Sequence, residues 1–397
     1  MADIPAIYDF LQDRLKNPGP QSGGDIYEYR FLLSGCAFNG DLNGDYSKST
    51  LGGLLLEEPF PLWKVGQSFE DYPQELAAWI KVAPVTYKSG IMTTVGSPHE
   101  AVADDLAALL TLFFRRLVTV IGPTSVTLPH PYNRPPVQSP LPQPLALAAR
   151  ETYAWPRLPL TVIYGAEAPH FRNPNPKEID VSPIALRAFF VMLAKHRYGG
   201  QIIAGARLYH RALESLFKHT DVSYLLLVCA AEAVATAEMR YRTPAEIADL
   251  VTTKSVRTCA ESLHLPADAV AALVAAATDN PMTKEKSKRE MFTDFLLTRG
   301  ADHAKQAPLF NPDILDIFKV QDEKAALREA YQARSGFVHA ARPFRDSALV
   351  GTTGGISVFA MLEVMVGEPR KSAPSILWLE RVVSTALLNF IAESAKL

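Results

Sequence analysis

Near its C-terminal end the chain places a permanent cation, Arg334, and an imidazole, His339, five residues apart, with the Ser335 hydroxyl between them. A guanidinium stays charged in proteins and presents a planar fork that matches a phosphate. An imidazole with an ordinary pKa near ~6.5 exchanges protons at neutral pH. These residue types suit metal-independent chemistry at a phosphodiester. Arg334 would stabilise charge growing on the phosphoryl oxygens, and His339 would act as general base or acid. Ser335 would donate a hydrogen bond to the phosphate or orient His339; with no evident base and orienter of its own, it is not read as a nucleophile.

The element that must position these groups is the run from Asp322 to Tyr331. Ala325, Ala326, Leu327 and Ala330 are good helix formers, and the run has no proline or glycine. Arg334 and His339 are expected at or just beyond the end of this helix, where Gly336 lets the backbone turn; at its longest the helix reaches about His339. On an unbroken helix a five-residue step rotates by roughly 140°, so the two side chains would not share a stripe. They converge on one phosphate only if the helix end loosens at Gly336 or a second chain supplies its own pair.

Arg-polar-x-x-x-His, with a tyrosine three residues before the arginine and a helix ahead of it, resembles the motif of the HEPN superfamily. More narrowly, Tyr331-x-x-Arg334-Ser335-x-x-Val338-His339-Ala340 is similar to the Apea-like branch. A second pair, Arg257 and His264, satisfies the looser family spacing but has Lys254 where the tyrosine would stand. The resemblance covers roughly Ser182 to the end. It implies an all-helical, dimeric domain and a metal-independent ribonuclease. It also implies a long helix carrying an acid within an apolar run, and Val228-Cys229-Ala230-Ala231-Glu232-Ala233-Val234 is similar to it. Glu232 would then pair with Arg334 and fix its guanidinium, while Tyr331 would stack a base or pack against the partner helix. RNA carries its own nucleophile, the 2′-hydroxyl, so a base and an acid suffice, and two chains side by side would supply two histidines and two arginines. The competing readings are a structural Arg334–Glu232 lock with His339 at a helix end, and a HEPN fold that binds nucleotide, RNA or protein without catalysis.

Composition bounds the rest. The 397 residues suffice for two domains; 48% are hydrophobic and 21% charged, ordinary values for a globular chain. A net charge of −2 provides no global field to collect nucleic acid, so RNA must be met by a local patch. Arg240 and Arg242, at the end of the Glu232 helix, are the best candidates, with Lys319 and Lys324 behind them. The mixed-sign run Lys284 to Glu290 reads first as a solvated helix start. Cys36, Cys229 and Cys259 have no metal-ligand spacing and read as buried thiols in a reducing compartment. No cofactor is expected: the phosphate-loop, dinucleotide, nucleophile-elbow and helical zinc motifs are all missing. His196, His210, His219, His264 and His303 read as surface or helix-end residues. No secretion signal is seen, and the apolar run Tyr224 to Val234 is too short to span a bilayer, so a cytoplasmic protein without a membrane partner is expected.

The expected architecture is α+β: a mixed strand and helix domain over residues 1–180, then an all-α HEPN-like bundle over 181–397. In the first part, Ile26 to Leu33, Trp79 to Val82, Val85 to Thr94 and Arg157 to Tyr164 read as strands. Ser97-Pro98-His99-Glu100 opens a helix whose body runs from Val102 to Val118. The turn-rich segment Asn39 to Asp45 lacks the ligand ladder of a calcium loop. Thirteen prolines between Pro123 and Pro176 argue for loop. In the second part, helices are expected at Ser182–His196 (ended by Gly199-Gly200), Ile202–Phe217, Asp221–Tyr241, Thr243–Val251, Pro266–Ala277, Lys286–Arg299, Pro312–Phe318, from Asp322, and Ser375–Lys396. The expected activity is an endoribonuclease serving as a toxin or an anti-phage effector. It would be a homodimer held by an antitoxin or released by a phage-derived trigger.

Overall fold

The computed structural model describes residues 7, 8, 11, 12, 16, 26–33, 38–39, 54–56, 60–62, 75–82, 98–115, 117–128, 137–140, 179–180, 183–216, 219–239, 253–279, 281–303, 320, 322–340 and 374–393. Among these, helix predominates. The chain divides into two compact units, residues 1–218 with 390–397, and residues 219–389. The boundary expected near Asp180 thus falls inside the first unit. The strands expected at 85–94 and 157–164, residues 40–45 of the turn-rich segment, the helices at 243–251 and 312–318, and Lys319 lie outside the described residues, as do Arg240 and Arg242.

In the first unit, strand β1 (Ile26–Leu33) has the bounds its aromatic and aliphatic pattern predicts. The strands that follow are β2 (Phe38–Asn39), β3 (Leu54–Leu56), β4 (Phe60–Leu62), β5 (Glu75–Val82), β6 (Val118–Leu128), β7 (Val137–Pro140) and β8 (Ile179–Asp180). β1 pairs antiparallel with β5 on one side and β6 on the other; β2 and β8 form a separate parallel pair. β6 carries Pro123 inside a paired strand, where loop was expected. The β1–β6 register shifts around Tyr29↔Pro123, and β7 pairs only with Ser125 to Leu128, so the imino residue sits at an irregularity and faces no second ladder.

Helix α1 (Pro98–Phe114) begins where its proline predicts but ends four residues short of Val118. Arg115, just past it, is buried at φ 52, and Val118 already belongs to β6. Leu106, Leu109, Leu110 and Leu112 fill the core, as do Phe189, Phe190 and Leu193 of helix α2 (Pro183–Lys195) and Ile202, Ile203, Ala206 and Tyr209 of helix α3 (Gly199–Ser215). Gly199 therefore starts a helix instead of ending one. The Tyr8 ring lies 2.0 Å from where a Cβ on Gly199 would stand, so only glycine fits there. Asp105 of α1 pairs with Arg207 of α3, the carboxylate being fully buried.

His196 and His303 follow helix ends, as one of the two expected readings has it, but both are buried and neither is a surface residue. His196 Nδ1 accepts from the Tyr198 amide at 3.1 Å, which leaves Nε2 to donate to the Phe390 carbonyl at 3.1 Å. His303 is buried beside Trp378, with Nδ1 2.8 Å from the Gly300 carbonyl. His210 donates from Nε2 to the Val118 carbonyl at 2.9 Å.

The second unit is a helical bundle: α4 (Thr220–Met239), α5 (Thr253–Ser262), α6 (Ala267–Asp279), α7 (Pro281–Arg299), α8 (Glu323–Ala340) and α9 (Ile376–Glu393), whose residues from Phe390 onward belong to the first unit. Helices α4, α7 and α8 each contact the other two. Thr220 to Glu238 is long and apolar enough to cross a membrane by length and composition, more than the sequence reading allowed. In the fold, Tyr224, Leu227, Val228, Ala231, Val234 and Ala235 are buried as core.

Burial pushes the His210 pKa down, against the opposing pull of the Val118 hydrogen bond. A histidine lowered in the folded state takes up a proton more readily unfolded, so its contribution is complete above about pH 6.5 and is lost as pH falls through the folded pKa. Thermal unfolding of the whole chain should therefore show a Tm that drops between about pH 7.5 and 5.5. In His210→Gln the drop should be smaller; an unchanged pH profile would show that His210 is not its source.

Candidate functional site

Helix α8 is continuous from Glu323 to Ala340 and passes through Gly336 without turning. His339 lies in its last turn, as expected, whereas Arg334 lies inside the helix and not at its end. A glycine inside a helix costs only about 1 kcal/mol relative to alanine, and no proline follows within the helix. Burial of Ala326, Leu327, Ala330 and Tyr331 along its packed face outweighs that cost. Asp322 starts the helix by accepting the Ala325 amide at 2.9 Å, an N-cap bond.

Straight geometry then separates the pair. Arg334 faces α4 and is 20% exposed, whereas His339, about 140° further round, is exposed. Ser335 is half-buried and Val338, next to His339, is 48% exposed. One chain therefore does not bring Arg334 and His339 together.

What the structure does bring together is Arg334, Glu232 and Tyr331. Arg334 Nη2 lies 2.9 Å from Glu232 Oε2, and Tyr331 donates to Glu232 Oε1 at 3.2 Å. The guanidinium carbon stands 5.7 Å from the Tyr331 ring centre, within cation–π range. Spacing explains the meeting: Tyr331 and Arg334 are one turn apart on α8, and Cys229 and Glu232 one turn apart on α4. Burial works against the Arg334 charge, but Glu232, with help from Cys229 and Tyr331, more than offsets it and holds the pKa above its ordinary value. Burial pushes the Cys229 thiol up, and the hydrogen bond from Arg334 only partly counters this. Arg334 Nε has no hydrogen-bond partner among the described residues.

Cys229 was not singled out beside Arg334 by the sequence, though its place one turn before Glu232 was a usable signal. Two further pairs were also missed. Arg299 of α7 forks onto Glu238 of α4 at 3.0 and 3.2 Å, and Arg328 of α8 reaches Glu290 of α7 at 2.5 Å. Together with Arg334–Glu232, each of the three helix contacts among α4, α7 and α8 carries one arginine–carboxylate pair. Tyr331 sits where the three helices meet, with its ring 5.5 Å from that of Phe292.

The rival pair is built differently. Arg257 lies exposed on α5, and His264 takes φ 54 just past its end. The amide of His264 donates to the Glu261 carbonyl at 3.0 Å and that of Leu265 to Ala260 at 3.2 Å, the double bond of a Schellman stop. His264 thus occupies a position usually held by glycine and serves as a helix terminator.

Among the described residues no cluster of three or more His, Cys, Asp or Glu is arranged to hold a metal ion.

Removing the carboxylate tests the arrangement. Glu232→Gln leaves a largely buried guanidinium without its counter-charge and should lower unfolding stability by about 1–3 kcal/mol, less than a fully buried pair because some solvent reaches it. Urea denaturation of the full chain measures this; a change within about 0.5 kcal/mol, the surface-substitution range, would contradict it.

In comparisons with known proteins the chain matches no family, no curated protein and no solved structure.

Proposed function

We propose that the chain is a metal-independent endoribonuclease with a HEPN-like C-terminal bundle preceded by a mixed α/β domain, working as a homodimer. One observation carries this reading: on a single helix, an arginine held charged and oriented by Glu232 keeps 20% of its side chain exposed, and an exposed histidine follows within two turns. Orientation by a carboxylate is what a phosphate-directed guanidinium requires.

The two groups diverge on a straight helix, so a second copy completes the site. Val338 gives the end of α8 exposed apolar surface beside His339, and a twofold axis there sets two histidines and two arginines about one scissile phosphate. One His339 takes the proton of the 2′-hydroxyl as the O2′–P bond forms. The P–O5′ bond breaks, and His339 of the second copy returns a proton to O5′. Arg334 stabilises the charge on the non-bridging oxygens, with Ser335 donating to the phosphate. The products are a 2′,3′-cyclic phosphate and a 5′-hydroxyl. Such an enzyme fits a toxin or anti-phage effector in the cytoplasm, restrained by an antitoxin or by its N-terminal part until a phage-derived trigger arrives.

A second reading rests on the same cluster. Both Glu232 oxygens are engaged, by Arg334 and Tyr331, as in a structural lock within a non-catalytic module that binds RNA, nucleotide or protein.

RNA cleavage in EDTA decides between them. Wild-type protein should yield fragments with 5′-hydroxyl ends, and His339→Ala should lower the rate by at least about 100-fold, the lower range for general acid–base catalysis. RNA retained without new 5′-hydroxyl ends would select the binding module. Activity unchanged in both His339→Ala and Arg334→Ala would remove the proposed site.

A further inference from the structure

Charge on helix α8 is sorted by face. Counting about 100° per residue from Lys324, Ser335 falls at about 20°, Arg328 at about 40°, His339 at about 60° and Gln332 at about 80°. The acids of the same element, Asp322, Glu323 and Glu329, fall at about 160°, −100° and 140°. Both cations other than Arg334 thus share one narrow sector with the imidazole and a hydroxyl, and every carboxylate lies outside it.

Exposure follows the same division. Lys324, Gln332 and His339 are exposed, and Arg328 and Ser335 are half-buried at the edge of the packed face. Two of the three acids are turned to other tasks: Asp322 caps the helix, and Glu323 lies 3.5 Å from His303. Glu290 of α7 takes one Arg328 nitrogen at 2.5 Å, and the Arg328 side chain is still 39% exposed. On α7, half-buried Arg289 also pairs with Glu290, at 3.3 Å, and offsets its charge.

From Lys324 to His339 the sector runs about 22 Å along the axis, with steps of about 6, 10 and 6 Å through Arg328 and Ser335. This length suits a short single strand, at the small end of site sizes of about 4–16 nucleotides. A duplex is a poor fit, because a stripe one residue wide meets one backbone, and in-line attack by a 2′-hydroxyl needs a nucleotide free of the A-form stack.

We infer that this face of α8 is a phosphate track, which guides single-stranded RNA past Lys324 and Arg328 to Ser335 and His339. The inference deepens the ribonuclease reading and rests on it for the identity of the ligand. It assigns to Lys324 and Arg328 a binding role that the Arg334–His339 pair alone does not require. The track belongs to one chain and needs no second copy to be formed.

The test is binding of a labelled oligouridylate of about 12 nucleotides, within single-strand site sizes, to His339→Ala protein over a range of salt concentrations. The His339→Ala background keeps the probe intact. Adding Lys324→Gln should weaken binding several-fold near 0.1 M salt and make the log–log salt slope shallower by about 0.7, one phosphate contact on a single strand. Adding Gln332→Lys should steepen it by a similar amount. Both positions are exposed, so neither change disturbs packing, and thermal melting verifies this. Unchanged slopes in both variants, or no salt-dependent binding by the His339→Ala chain, would overturn the track. Slopes that shift as expected while wild type never cleaves would uphold the track and sink the nuclease reading instead.

Discussion

The ion pair between Arg334 and Glu232 is the constraint on which the second unit turns. A guanidinium and a carboxylate, each mostly withdrawn from water, must face one another or incur several kcal/mol of uncompensated desolvation per ion. That requirement fixes the rotation of α8 against α4. Once the rotation is fixed, Tyr331 reaches the remaining carboxylate oxygen, its ring meets Phe292, and Arg328 comes level with Glu290. The outward face of the helix is set by the same choice. It carries Lys324, Gln332 and His339 to solvent and leaves the acids on other sectors.

Arg334 closes a helix contact through Nη2, while its Nε is buried without a hydrogen-bond partner among the described residues. A carboxylate partner that orients a guanidinium also keeps it charged where burial would discourage charge. A polar cluster at a three-helix junction also specifies register. A one-residue slip of α8 would turn Arg334 by about 100° and strand Glu232 against apolar neighbours.

Much of this was legible in the sequence. The Glu232–Arg334 partnership was implied by the resemblance at those residues and is formed in the structure, while the bond from Tyr331 to Glu232 was not foreseen. Strand β1 could be read from its alternation, and most helices of the second unit from their formers and caps. What failed did so for identifiable reasons. Gly336 was given the power to end a helix, but tertiary packing of Leu327, Ala330 and Tyr331 carries the helix through it. Gly199 was read as a stop, whereas its lack of a Cβ serves the close approach of the Tyr8 ring, a contact far away in the chain that no local pattern reveals. Pro123 argued for loop, yet a register irregularity accommodates it in β6. His196 and His303 were read as surface or helix-end residues, and their burial was not foreseen because their partners are backbone carbonyls, which leave no signature in side-chain sequence.

The most direct test of the central claim is a double-mutant cycle on the unfolding free energy of the full chain, combining Glu232→Gln with Arg334→Met. If the pair fixes the seam between α4 and α8, each single change is costly, the double change costs much less than their sum, and the coupling is about 1–3 kcal/mol. Additivity within about 0.3–0.5 kcal/mol would show two independent side chains and contradict the account.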